Sequence, residues 1–63
     1  MTFAEKLRKL RDDSGMSLSE LADKVGVTKQ MLNRYEMGLA EPSRPVLANL
    51  VKVFGVSADY FVG

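Results

Sequence analysis

Apolar residues recur at Leu18, Leu21, Ala22 and Val25, and again at Leu47, Leu50, Val51 and Phe54. Both sets follow the i, i+3, i+4, i+7 spacing of a helix with one buried face. A third stripe, Phe3, Leu7 and Leu10, precedes them, and no alternating strand-like pattern competes. Local start and stop signals set the boundaries. Thr2 with Glu5 and Ser17 with Glu20 are capping boxes, in which the hydroxyl accepts from the third helical amide and the carboxylate accepts from the cap amide. Thr28, Ser43 and Ser57 are further N-cap candidates, and Pro45 suits a first helical turn. Ser14-Gly15, Gly26, Gly38 and Gly55 are the stops, glycine entering the left-handed conformation that ends a helix at little cost. Met16 with Leu21, Val27 with Leu32 and Val56 with Phe61 have the spacing of hydrophobic staples across three of these starts. The pattern predicts five helices: from Thr2 to about Asp13, from Ser17 to Val25, over 28–37, from Ser43 to Phe54, and a short one after Ser57 holding Tyr60 and Phe61. Lys6, Lys9 and Asp13 are expected to face outward, and Met16 and Met31 to fill gaps at the core margin.

The second and third helices, separated by about three residues at Gly26, have the layout of a helix-turn-helix. At about 100° per residue, Lys29, Gln30, Asn33, Arg34 and Met37 fall within an arc of about 140° on the third helix. Thr28, Met31, Leu32 and Tyr35 take the other side. Any solvated helix face is polar, but this one holds cations and amides with Glu36 only at its margin. Those side chains suit the major groove: Lys and Arg donate to guanine O6 and N7, and Gln and Asn pair bidentately with adenine.

Sixty-three residues make one small domain, over 1–63, near the lower size at which a single core sustains itself. With no Cys and no His there is no disulfide and no thiolate or imidazole chemistry. Asp12, Asp13, Glu20, Asp23 and Glu41 lack the spacing of a calcium loop. No nucleophile–base pair or phosphate-cradling glycine loop is present, so neither an enzyme nor a cofactor or metal is expected. No apolar run approaches the length of a membrane span. The formal net charge of +1 is too small to argue for nucleic acid by itself; placement of charge has to carry that reading.

Taken together, Leu7-Arg8-Lys9-Leu10-Arg11, Met16-Ser17, Glu20-Leu21-Ala22, Val25-Gly26-Val27-Thr28, Leu32-Asn33-Arg34-Tyr35-Glu36, Gly38, Pro42-Ser43, Leu47 and Phe54-Gly55-Val56-Ser57 resemble the helix-turn-helix family of phage repressors, Cro proteins and xenobiotic-response-element regulators. The resemblance covers nearly the whole chain and implies an all-α, compact five-helix lambda-repressor-like DNA-binding fold. It implies base reading from Lys29, Gln30 and Arg34, phosphate contacts from Ser17, Thr28, Asn33 and Arg44, and an internal ion pair between Arg11 and Glu36. Leu18 stands where many relatives carry a phosphate-holding Gln, residues 39–41 lack the basic side chains common there, and Met37 replaces a frequent polar or basic residue. Fewer cationic contacts imply a shallower salt dependence.

The function expected is a sequence-specific double-stranded DNA-binding transcriptional regulator, a repressor, working in the cytoplasm on the nucleoid of a bacterium or as a phage product. One small domain covers a single half-site, so a weak homodimer, or a dimer formed on an inverted-repeat operator, is expected. Residues 56–63 are the candidate dimer surface, since Tyr60, Phe61 and Val62 stand side by side and cannot all face inward. The competing use of the same fold is a protein-interaction module, antitoxin-like or adaptor, with Met37 and Leu39 as its contact surface.

Overall fold

A computed structural model describes residues 1–62, and Gly63 lies outside the described residues. The chain runs α1 (Phe3–Asp13), α2 (Leu18–Val25), α3 (Lys29–Glu36), α4 (Arg44–Phe54) and α5 (Ala58–Val62), and all regular structure among the described residues is helical. The starts are set by local chemistry. Thr2 and Ser17 form complete capping boxes with Glu5 and Glu20, while Thr28 and Ser43 accept from the amides of Met31 and Val46. α3 is one residue shorter at each end than the expected 28–37, because Thr28 and Met37 are its caps.

Between α2 and α3 the chain turns at Gly26, whose φ of +83° is left-handed. Its N–H and that of Val27 both return to the Ala22 carbonyl, at 2.9 and 3.1 Å. The Val25 carbonyl, orphaned by the helix end, accepts from the Asn49 side-chain amide of α4 at 3.0 Å. The turn is thus closed locally and tied to a distant helix. A Cβ at position 26 would meet nothing within 4 Å. Substitution there is therefore disfavoured by backbone conformation alone, by about 1–2 kcal/mol.

The core is one cluster: Leu7, Leu21, Ala22, Val25, Leu32, Tyr35, Leu50 and Phe61. α3 is held by α1 and α2, α4 lies against α2, and α5 closes the end against α1 and α4. The Phe61 ring reaches the Phe3 ring at 5.2 Å between centroids. α4 is apolar over a wider face than its four-residue stripe implied, since Val46 and Val53 also lie against the core and only Leu50 is fully buried.

Four expectations are corrected. Lys6 does not face outward; it is half-buried and its ammonium donates to the Tyr60 carbonyl at 2.9 Å, 5.6 Å from the Tyr60 ring centroid. Met31 is not core: α3 buries the flank centred on Leu32 and Tyr35, and Met31, about 100° from Leu32, is left 39% exposed at the rim. Ser57 marks the start of α5 with its carbonyl, which accepts from the Tyr60 amide at 3.1 Å, rather than with its hydroxyl. Tyr60, Phe61 and Val62 do not form a joint exposed surface, because Phe61 enters the core, Tyr60 is half-buried against Lys6 and α1, and Val62 alone is exposed, at 76%.

The capping boxes make stability acid-sensitive. In each, the cap residue's backbone N–H, and then its side chain, holds the glutamate carboxyl below its ordinary pKa. A carboxylate lowered in the folded state stabilises the fold above its unfolded pKa, about 4.3, and loses that contribution as pH falls through the lowered value. Glu20→Gln keeps the reach-back hydrogen bond but cannot titrate. In urea melts at pH 6, 4 and 3, wild type is expected to start more stable than Glu20→Gln and to show a margin that shrinks as the pH falls. Parallel curves would remove the charged capping box from the stability of α2.

Candidate nucleic-acid interface

α3 presents its functional side chains because its other flank is committed to the core. Lys29, Gln30, Asn33 and Arg34 are all exposed, whereas Leu32 and Tyr35 are buried. The one acidic residue of the helix is taken off this surface. Glu36 has a side chain only 6% exposed, and it accepts from Arg11 Nε at 2.6 Å and Arg11 Nη2 at 3.0 Å, a bidentate pair. Arg11 Nη1 donates to the Met16 carbonyl at 3.0 Å, and Asp12 lies 3.6 Å from Nη2. The Glu36 hydrogen bonds raise the Arg11 pKa above its ordinary value against the opposing effect of burial. The outer face of α3 is consequently left with two cations and two amides and no carboxylate.

The N-terminus of α3 differs from those of α1 and α2. Its third position is Met31 rather than a glutamate, and its first turn contains no acid. The positive end of the helix dipole and the first free amides therefore meet no carboxylate of their own helix.

Of the residues the resemblance marks for phosphate, three sit at helix beginnings: Ser17 and Thr28 as N-caps of α2 and α3, and Arg44 as the first residue of α4. Ser17 is already occupied in part, its N–H donating to Glu20 Oε1 at 3.0 Å and its Oγ accepting from the Glu20 amide at 3.1 Å. Its hydroxyl proton is engaged as well, since the side-chain hydrogen bond to Glu20 helps hold that carboxyl below its ordinary pKa. Thr28 Oγ1 accepts from the Met31 amide at 3.1 Å and, with no acid in the first turn of α3, keeps its proton. Asn33 sits on the outer face of α3, its amide 3.4 Å from the Met37 sulfur. Arg44 is separate from that group. It borders an apolar depression on α4 with Leu47, Ala48, Val51, Lys52 and Ala58. Leu18, where a phosphate-holding Gln is common, is half-buried against the core.

Sequence reasoning missed Asn49 and Lys6. Asn49 carried a weak signal, as a polar residue flanked by the apolar positions 46, 47, 50, 51 and 53 of one helix. Its role in holding the turn before α3 needed the fold. Lys6 carried none.

A turn closed at Gly26, two helices packed on a shared core and a polar outer flank on the second form the observed motif. The profile described as Helix-turn-helix matches residues 7–61. The chain belongs to that family. Over 60 residues this helix-turn-helix domain is 40% identical to the SPbeta prophage-derived uncharacterized HTH-type transcriptional regulator YonR of Bacillus subtilis (strain 168), covering 95% of this chain and 56% of that protein. The solution structure of the DNA-binding domain of the P22 C2 repressor superposes with a TM-score of 0.92 at 26% identity, covering 98% of this chain and 82% of that one. The crystal structure of SinR, the master regulator for biofilm formation, in complex with DNA superposes with a TM-score of 0.89 at 33% identity, covering 98% of this chain and all of that one. The chain spans about half the length of the curated relatives it matches.

The Arg11–Glu36 pair orients α3, and its side chains are only 15% and 6% exposed. Glu36→Ala is expected to cost about 3 kcal/mol, the lower end for a broken buried pair, because the guanidinium loses its bidentate partner but keeps the Met16 carbonyl and Asp12; that is still a large part of the stability of a domain this small. Replacing both with apolar residues, Arg11→Met with Glu36→Leu, should cost less than either single loss. Denaturant melts of the three variants decide it; a single variant within about 0.5 kcal/mol of wild type would mean that the pair does not hold the helix.

Proposed function

We propose that this domain is a sequence-specific double-stranded DNA-binding transcriptional regulator, acting as a repressor, that inserts α3 into the major groove. The observation that carries the reading is the outer face of α3: Lys29, Gln30, Asn33 and Arg34 exposed together while the helix's own carboxylate is withdrawn into the pair with Arg11. The likeness to the P22 C2 repressor domain and to SinR, which was solved with DNA, supports it. In this reading Lys29 and Arg34 donate to guanine edges, and Gln30 pairs with adenine N6 and N7. Ser17, Thr28, Asn33 and Arg44 position the domain on phosphates, Thr28 through the proton its hydroxyl still has to give.

One domain of this size covers a half-site, so two copies meet on an inverted repeat with half-sites about one helical turn apart. The setting is the cytoplasm, where the nucleoid lies. The surface that favours pairing is small. Val62 stands beside a shallow depression of about 320 Å³ bordered by Phe3, Glu41, Pro42, Leu47 and Phe61. The dimer is therefore weak in solution and forms on DNA. Sedimentation on a palindromic duplex is expected to reach two protomers per duplex, with Val62→Asp shifting assembly toward one. A strictly 1:1 complex at saturating protein would overturn the paired arrangement.

A second reading has one observation in its favour. Met37 and Leu39 are 63% and 59% exposed, an apolar pair at the end of α3 that a protein partner could cover. Selection from a random duplex library separates the two uses. On the selected site, Gln30→Ala and Arg34→Ala are each expected to cost about 1–3 kcal/mol, with a smaller effect on scrambled duplex. The slope of log affinity against log salt should be shallow and decrease in size by about 0.9 for each phosphate contact removed. If both variants keep wild-type discrimination between selected and scrambled duplexes, α3 is not the reader.

A further inference from the structure

Four of the five outward positions of α3 carry hydrogen-bonding side chains, and the fifth is Met37. This residue caps the C-terminal end of α3 and is 63% exposed. It follows Gln30 by seven residues, which brings it within about 20° of the same angular position and about 10 Å further along the helix. Its sulfur lies 3.4 Å from the Asn33 side-chain amide. The contact holds the thioether over the same outer flank as the reading residues, one turn from Asn33. Arg34, Asn33, Gln30 and Lys29 leave no other apolar group on this arc.

A thioether accepts hydrogen bonds weakly and donates none. Against the donors and acceptors of a base edge, or against a phosphate, it would displace water without replacing its hydrogen bonds. The major groove contains one apolar group, the methyl at C5 of thymine, and the methyl of 5-methylcytosine occupies the corresponding place. Contact there buries apolar area on both partners and leaves no polar group unmatched, and the polarisable, unbranched methionine side chain adapts its shape to such a contact.

We propose that Met37 is a specificity-determining residue that reads the C5-methyl group of a pyrimidine in the major groove. The inference rests on the DNA-binding reading above and adds a base preference that Lys29, Gln30 and Arg34 do not supply. Asn33 is its positioning residue, through the amide–sulfur contact.

The test uses the full chain and the duplex it selects from a random library. Thymines of that duplex are replaced singly by deoxyuridine, which removes only the methyl. At one position per half-site the wild type is expected to bind the deoxyuridine duplex about fourfold more weakly, the effect of one buried methyl. Met37→Gln is expected to show no difference between the two duplexes, and to match the wild type on the deoxyuridine duplex, which also establishes that the variant is folded. A second arm distinguishes the source of the methyl: with cytosine at that position, 5-methylation should restore wild-type binding by a similar factor if any C5-methyl serves, and leave it unchanged if the remaining thymine edge is required. A deoxyuridine penalty that persists in Met37→Gln assigns the methyl to another residue and overturns the proposal, as does the absence of any penalty in the wild type. If the library enriches no duplex at all, the DNA-binding reading fails first.

Discussion

The guanidinium of Arg11 is the junction on which the arrangement of α3 depends. It projects from the last turn of α1, grips Glu36 at the end of α3 with two hydrogen bonds, and gives a third to the Met16 carbonyl just before α2 begins. One planar group therefore sets the relative positions of three helices. Arginine suits this because its donors leave in a fixed fork that matches a carboxylate edge, which a lysine ammonium cannot do. The pair has a second consequence at the surface. By drawing the sole carboxylate of α3 inward, it turns a helix of mixed charge into one whose outer face carries cations, amides and Met37 but no negative charge. Orientation and electrostatics of the candidate site thus come from the same contact.

The core that supports this junction is small. Eight buried residues from all five helices make up its centre, and in a domain this size local contributions at helix ends weigh heavily beside burial. Four of the five helices have a side-chain hydroxyl at the N-cap, and two of those are reinforced by a glutamate. The two without that reinforcement are α3 and α4, neither of which has an acid in its first turn. α3, the helix whose N-terminus would meet DNA, has Met31 where α1 and α2 have Glu, so no carboxylate competes with phosphate for its first amides. α2 shows the opposite: Glu20 occupies the cap at Ser17 and leaves it a poorer phosphate holder. The half-buried Leu18 beside it adds no polar contact.

Helix boundaries and the outward set Lys29, Gln30, Asn33 and Arg34 were legible from the chain alone. A capping box, a left-handed glycine and the period of an apolar stripe each act within four residues, so their outcome is settled before any distant contact forms. The flanks were another matter. Met31 and Glu36 lie at opposite margins of the buried face of one helix, yet the apolar one is exposed and the charged one is buried, because α1 brings Arg11 to Glu36 and nothing comparable covers Met31. Lys6 faces inward only because α5 ends a carbonyl beside it, Asn49 secures the turn at Gly26 only because α4 crosses there, and Val62 is left outside because Phe61 takes the remaining room against Phe3. Sequence determined which segments are helices and which polar side chains α3 turns outward, since these follow from local hydrogen bonding and periodicity. Tertiary structure decided which marginal residues are covered, since that depends on which neighbour, tens of residues away in the chain, arrives at each flank.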